Sequence, residues 1–254
     1  GILLIILTGY IVAGFVLPGG FEWNKFLFEG RWFIHQSSTQ NLISLLSTIA
    51  LIYVAFIGFE VIADDAEEVK HPDRNIPRGI LISLTLCLIL YPLISLVTLG
   101  TMPWMSLAGS DVALSDAASQ FLPGVGSFIL GVAGIIATVT TLNSSMLSAT
   151  REAFTLSRDG TWPRFLSRLG ENCTPYVATL VIGAIICMIA AVVLVEFLSY
   201  ISASGYLLVL FWSNLALVHL RKRYPNLRRP YKVPLFPVTV YLAMGTCILI
   251  IVFT

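Results

Sequence analysis

At 254 residues with a mean hydropathy of +0.87, the chain is 57% hydrophobic and 11% charged. That is less than half the roughly 25% charge of an ordinary soluble domain, and it excludes a water-soluble globular protein. Fifteen Lys and Arg against fourteen Asp and Glu leave a formal charge of +1, which gives no reason to expect a nucleic-acid partner, since a duplex-binding surface needs clustered cations that are not cancelled elsewhere.

Apolar stretches long enough to cross a hydrocarbon core of about 30 Å fall at 1–17, 42–63, 80–101, 123–147, 176–197, 200–220 and 236–254. The runs are about twice the length of a barrel strand, so only helices fit. The fold class expected is an all-α integral membrane protein with about seven transmembrane helices in a single domain over 1–254. The first run opens on Gly1, without the basic start and small-residue cleavage site of a secretory signal, and the last stops at Thr254; both ends read as cut.

Basic residues set the orientation. Lys70, Arg74 and Arg78 follow the second run, Arg151, Arg158, Arg164 and Arg168 the fourth, and Arg221, Lys222, Arg223, Arg228, Arg229 and Lys232 the sixth. The alternate loops hold only Lys25 and Arg31. The positive-inside rule makes loops 64–79, 151–175 and 221–235 cytoplasmic, along with the start of the first run, in a multi-pass protein of the cell membrane. The sequons at Asn143 and Asn172 then fall in a span and a cytoplasmic loop, where neither takes a glycan.

The second run is interrupted. In Tyr53-Val-Ala-Phe-Ile-Gly58-Phe59-Glu60 a glycine stands two residues before a carboxylate inside apolar sequence, the signature of a broken membrane helix. Unwinding at Gly58 turns the carbonyls around Val54 to Ile57, the negative end of a half-helix dipole, toward a cation or a ligand ammonium. The other reading of Gly58 is a small residue that lets two helices approach. Glu60 is the proton-coupling candidate, since an ionisable side chain within a span costs several kcal/mol and faces water or a partner. Alternatively it belongs with Asp64, Asp65, Glu67 and Glu68 as a wetted structural group, the reading that its position just before that acidic cluster favours.

In the third run Pro92 reads as a kink, and Pro72 with Pro77 as the entry from loop to helix. The fourth run is small and apolar over 126–137, then places Thr138, Thr141, Ser145 and Ser148 on one helical face. Such a stripe lines a polar cavity or bonds to neighbouring helices, the commoner use in membranes. Cys87, Cys173, Cys187 and Cys247 have no CxxC spacing, which suggests neither a metal site nor a disulfide framework. His35, His71 and His219 lie in loops or at a span end, with no HExxH, GxSxG or phosphate-cradling glycine loop. No enzyme activity and no cofactor are expected.

Phe56-Ile-Gly58-Phe59-Glu60, with Ala66-Glu67-Glu68-Val-Lys70-His-Pro72-Asp-Arg74-Asn75-Ile-Pro77-Arg78, resembles the sixth helix and following loop of amino acid permeases in the amino acid/polyamine/organocation superfamily. Ser148-Ala-Thr-Arg151-Glu-Ala-Phe154, then Arg158-Asp159-Gly160-Thr-Trp-Pro163 and Thr174-Pro175, resembles their eighth helix and its cytoplasmic continuation. The seven runs then correspond to helices five to eleven, and the first four helices are absent.

The resemblance implies part of a leucine-transporter-type fold of two inverted five-helix repeats. It implies a substrate-binding segment of Val54, Ala55, Phe56, Ile57, Gly58 and Phe59, in which Val54, Ala55 and Ile57 present carbonyls, Gly58 permits the break and Phe59 closes over the substrate. Ser144 and Ser145 fall where related folds place hydroxyl ligands for sodium. The function implied is secondary active transport of an amino acid or related amine by alternating access, coupled to protons or sodium, with membrane lipid and no nucleic acid as partners. A sensor or scaffold subunit that keeps the permease fold without transporting is the alternative, and an ion channel is a further one.

Overall fold

The computed structural model describes residues 1–26, 38–59, 62, 69–170, 174–192, 195–227, 229 and 231–253. Glu60, Asp64, Asp65, Glu67, Glu68, Asn172 and Cys173 lie outside them. The described residues are mostly helical and contain no strand, an all-α membrane fold. Helix α1 spans Ile2–Val16, α2 Trp23–Phe26, α3 Ser38–Tyr53, α4 Pro72–Thr101, α5 Trp104–Ala108, α6 Ala113–Phe121, α7 Gly126–Arg158, α8 Tyr176–Val192, α9 Val195–Arg223 and α10 Val238–Phe253. Short 3-10 turns occupy Val54–Phe56 and Arg164–Ser167.

By length and composition three helices are long and apolar enough to cross a membrane: Pro72–Thr101, Gly126–Arg158 and Phe197–Arg223 within α9. Four others are apolar but shorter, at Ile2–Val16, Thr39–Tyr53, Tyr176–Val192 and Val238–Val252. Hydropathy misplaces several ends. Helix α4 begins at Pro72, eight residues ahead of the apolar run, and carries Pro77 inside it. Helix α7 continues past residue 147 to Arg158, because an α-helix outlasts its apolar stripe wherever water can solvate its polar faces. Over the run expected at 176–197, α8 is described to Val192 and α9 from Val195 on.

Two compact units form, one from Gly1–Ile34 with Ile82–Ser145 and one from His35–Leu81 with Met146–Thr254. The core of the first contains Tyr10, Ile11, Val97, Ala118, Phe121 and Leu130. Gly14 in α1 lies so close to Val97 in α4 that a Cβ at residue 14 would overlap the valine side chain. The Tyr10 hydroxyl meets Thr98 Oγ1 at 2.8 Å, and Thr98 Oγ1 is also 2.8 Å from the Ile94 carbonyl. The threonine hydroxyl has one proton and gives it to that carbonyl, so Tyr10 is the donor of the first bond. The chain after α1 is tied beneath the end of α4: Phe21 N donates to Gly14 O and Glu22 N to Gly100 O, both at 2.8 Å.

In the second unit α3, α9 and α10 pack together through small buried residues, Ala50 from α3 and Ala203 from α9, beside Leu207 and Cys247. The Tyr53 and Tyr206 rings meet tilted at 43° with centroids 6.2 Å apart, joining the end of α3 to α9. A smaller cluster of Ala153, Leu166 and Ala178 joins the end of α7 to the segment that follows it.

Candidate functional site

Regular helix stops at Tyr53, tightens into the 3-10 turn Val54–Phe56 and gives way to a turn over 57–59. Gly58 has φ +121°, a backbone conformation that L side chains rarely adopt. A Cβ at Gly58 would meet nothing within 4 Å. The helix-packing reading of this glycine needs a close neighbour and has none among the described residues, whereas the backbone itself demands glycine. The turn that follows α3 is therefore a property of the backbone at residue 58. Within the segment Ala55 and Gly58 are exposed, and Phe56, Ile57 and Phe59 are half-buried. Ala55, Phe56 and Gly58 are engaged in interactions within the chain. Glu60, the proton-coupling candidate, lies outside the described residues.

Ser144 and Ser145 lie exposed on α7, in the first compact unit, while residues 54–59 belong to the second. The hydroxyl stripe around them is partly self-satisfied. Thr138 Oγ1 donates to Gly134 O at 2.9 Å, and the off-stripe Thr140 Oγ1 donates to Ile136 O at 2.7 Å. These are bonds to the preceding turn of the same helix, a third use that neither the cavity reading nor the helix-bonding reading includes.

Both family-like motifs fold into locked turns. His71, at φ +51°, precedes α4 and accepts bonds from Arg74 N at 3.1 Å and Asn75 N at 3.0 Å. The Asn75 side chain donates to Lys70 O at 2.5 Å. At the other motif α7 ends in Arg158-Asp159-Gly160, with Gly160 at φ +82°. Thr161 N and Trp162 N both donate to Leu156 O, at 3.0 and 3.1 Å, closing the helix end. The buried Ser157 hydroxyl donates to Pro163 O at 2.7 Å, and Gly170 N donates to Thr174 O at 2.9 Å. The described parts of these motifs thus form tight turns at the start of α4 and the end of α7.

The family profile described as amino acid permease matches residues 1–254. The chain belongs to the amino acid permease family. It is 32% identical over 212 residues to the branched-chain amino acid permease BcaP of Bacillus subtilis, covering 82% of this chain and 45% of that permease. It is 28% identical over 251 residues to the methylthioribose transporter of the same organism, covering 97% of this chain and 50% of that one. Against the vacuolar cationic amino acid transporter 4 of Arabidopsis thaliana it is 30% identical over 213 residues, covering 82% of this chain and 33% of the relative. The permease chain thus spans half or less of the length of these relatives.

The basic end of α9 groups His219 and Lys222, which the sequence places at a span end and in a basic loop, with apolar residues of the same helix. Trp212, Leu215, Ala216, Val218, His219 and Lys222 line a groove of about 430 Å³. Their helical spacing was the available signal, masked by reading His219 only as the end of an apolar run.

Proposed function

We propose that the protein is a secondary active transporter moving an amino acid across the cell membrane by alternating access, coupled to protons. Family membership together with the break at Gly58 is the observation that carries this reading. An interrupted helix brings backbone polar groups into the membrane, where they are tolerated against a ligand or a water-filled cavity. The carbonyls of Val54, Ala55 and Ile57 take the substrate ammonium. A carbonyl oxygen has two lone pairs, so a bond within the chain leaves capacity for a second donor. Phe59 closes over the substrate, and Ser144 and Ser145 are the hydroxyls available to a sodium ion should sodium replace the proton.

A neutral substrate fits best. Ala55, Ile57 and Phe59 offer no charge to a substrate side chain, and the BcaP relative is named for branched-chain amino acids. The basic loops 64–79, 151–175 and 221–235 are cytoplasmic in this reading. Glu60 takes the coupled proton as the cavity opens to one side and then the other.

Uptake into proteoliposomes by the full-length protein tests the whole reading, with labelled leucine, arginine and methylthioribose as substrates. Leucine uptake driven by an inward proton gradient is expected. Substrate-independent conductance would indicate a channel, and no uptake of any of the three a sensor or scaffold. Glu60→Gln should abolish gradient-driven accumulation yet preserve exchange of internal for external substrate, because a permanently neutral side chain mimics the protonated carrier. Normal accumulation by that variant would move the proton site elsewhere.

A further inference from the structure

We propose that the basic end of α9 holds the phosphate headgroup of an anionic phospholipid, with an acyl chain lying along the apolar groove beside it. The groove of about 430 Å³ has Trp212, Leu215, Ala216 and Val218 as its floor and His219 and Lys222 at its end. These positions recur at helical spacing on one side of α9, which gives a strip about 15 Å long at a rise of 1.5 Å per residue. Trp212 is 63% exposed, an open apolar ring at the end of the strip away from Lys222, where the tail of an acyl chain would lie.

Charge complementarity selects the occupant. Residues 221–235 contain Arg221, Lys222, Arg223, Arg228, Arg229 and Lys232 and no Asp or Glu. Three of these cations make contacts within the chain, Arg223 the loosest of them with its guanidinium 5.8 Å from the centre of the Tyr224 ring. The Arg221 guanidinium lies 3.9 Å from the centre of the Phe236 ring. Arg229 donates to the carbonyls of Tyr224 at 2.6 Å, Pro225 at 3.0 Å and Leu227 at 3.3 Å. Arg229 thereby sets a positive charge on the carbonyls that follow α9, offsetting the negative helix end that would otherwise repel a phosphate. Lys222, Arg223 and Lys232 are exposed, and no ion pair among the described residues takes them up.

An apolar strip ending in cations that no described carboxylate pairs matches a molecule with a hydrocarbon tail and an anionic head. Free phosphate or an acidic peptide would leave the strip uncovered. A zwitterionic lipid, whose own cation opposes the phosphate, gains less from the same residues. The inference stands apart from the transport reading and holds whichever face of the membrane the basic end occupies.

Full-length protein in mild detergent, titrated with lipid and read by native mass spectrometry, tests it. Phosphatidylglycerol should be retained at least about fivefold better than phosphatidylcholine. Lys222→Gln should lower that retention about fivefold, the effect of one basic residue at an anionic membrane surface. Ala216→Trp, which fills the strip and leaves every charge in place, should lower it as well. Equal retention of the two lipids, or unchanged retention in both variants, would overturn the proposal. So would displacement of the lipid by an equal concentration of glycerol phosphate, which would mark a site for free phosphate.

Discussion

Gly14 and Gly58 are both glycines in apolar sequence, and the structure requires them for opposite reasons. At Gly14 the backbone is ordinary helix and the space is filled, so a Cβ would overlap Val97. At Gly58 the space is open and the backbone is extraordinary, with φ +121°. One glycine lets two helices touch; the other lets one helix stop. In a membrane protein the two uses have the same sequence signature, and only backbone angle and neighbours separate them. The packing glycine contributes stability, whereas the breaking glycine shapes the polar interior on which the proposed transport depends.

The largest effect is expected at the break. Gly58→Leu should abolish uptake in proteoliposomes while the protein still inserts, since the substitution favours a continuous apolar helix. Gly58→Ala should be nearly as damaging, because the strain lies in the backbone and not in the size of the side chain. Robust uptake by the alanine variant would show that the break survives without glycine.

At Gly14 the expected damage is to stability. Gly14→Ala should destabilise by about 1–3 kcal/mol, the usual range for overfilling a packed core, read as a lower melting temperature in detergent. Val97→Ala in the same chain should recover much of that loss, because it removes the methyl groups the new Cβ would strike. No second-site reduction of this kind should rescue Gly58. If Val97→Ala fails to help Gly14→Ala, close approach is not what that glycine provides.

The Tyr10–Thr98 bond gives a smaller and asymmetric effect. Tyr10→Phe should cost about 0.5–1.5 kcal/mol, since Thr98 keeps its bond to Ile94. Thr98→Val should cost more, because it strands the buried tyrosine hydroxyl without an acceptor. Equal losses in the two thermal melts would contradict the assigned donor direction. Smallest of all, Ser144→Ala and Ser145→Ala should change stability by about 0.6 kcal/mol or less, as for typical membrane hydroxyl bonds, and should leave uptake independent of sodium. A sodium requirement lost on either substitution would instead place a cation there.

How far the sequence could be read depended on whether the signal was chemical or geometric. A glycine two residues before a carboxylate in an apolar run marks a break by composition alone; regular helix stops at Tyr53, ahead of the turn that holds Gly58 at φ +121°. Helix ends were less legible, because hydropathy reports where lipid begins and not where hydrogen bonding stops. That is why α4 starts at Pro72 and α7 persists to Arg158. Thr138 looked like a cavity or interface group because spacing reveals which face a hydroxyl occupies, but not that its proton is turned back to Gly134. Contacts between distant segments, such as Gly14 on Val97 and Arg221 on Phe236, have no local signal.

The direction of the Tyr10 bond has a consequence for proton movement. The tyrosine proton points to Thr98 and the threonine proton points to the Ile94 carbonyl. Hopping conduction along hydroxyls needs a final group that can accept a proton and release another, and an amide oxygen holding a helix together has none to release. The chain of donors from α1 into α4 is thus a dead end that fastens helices without wiring them. A buried polar contact in the first unit can therefore fasten two helices without opening a route for protons.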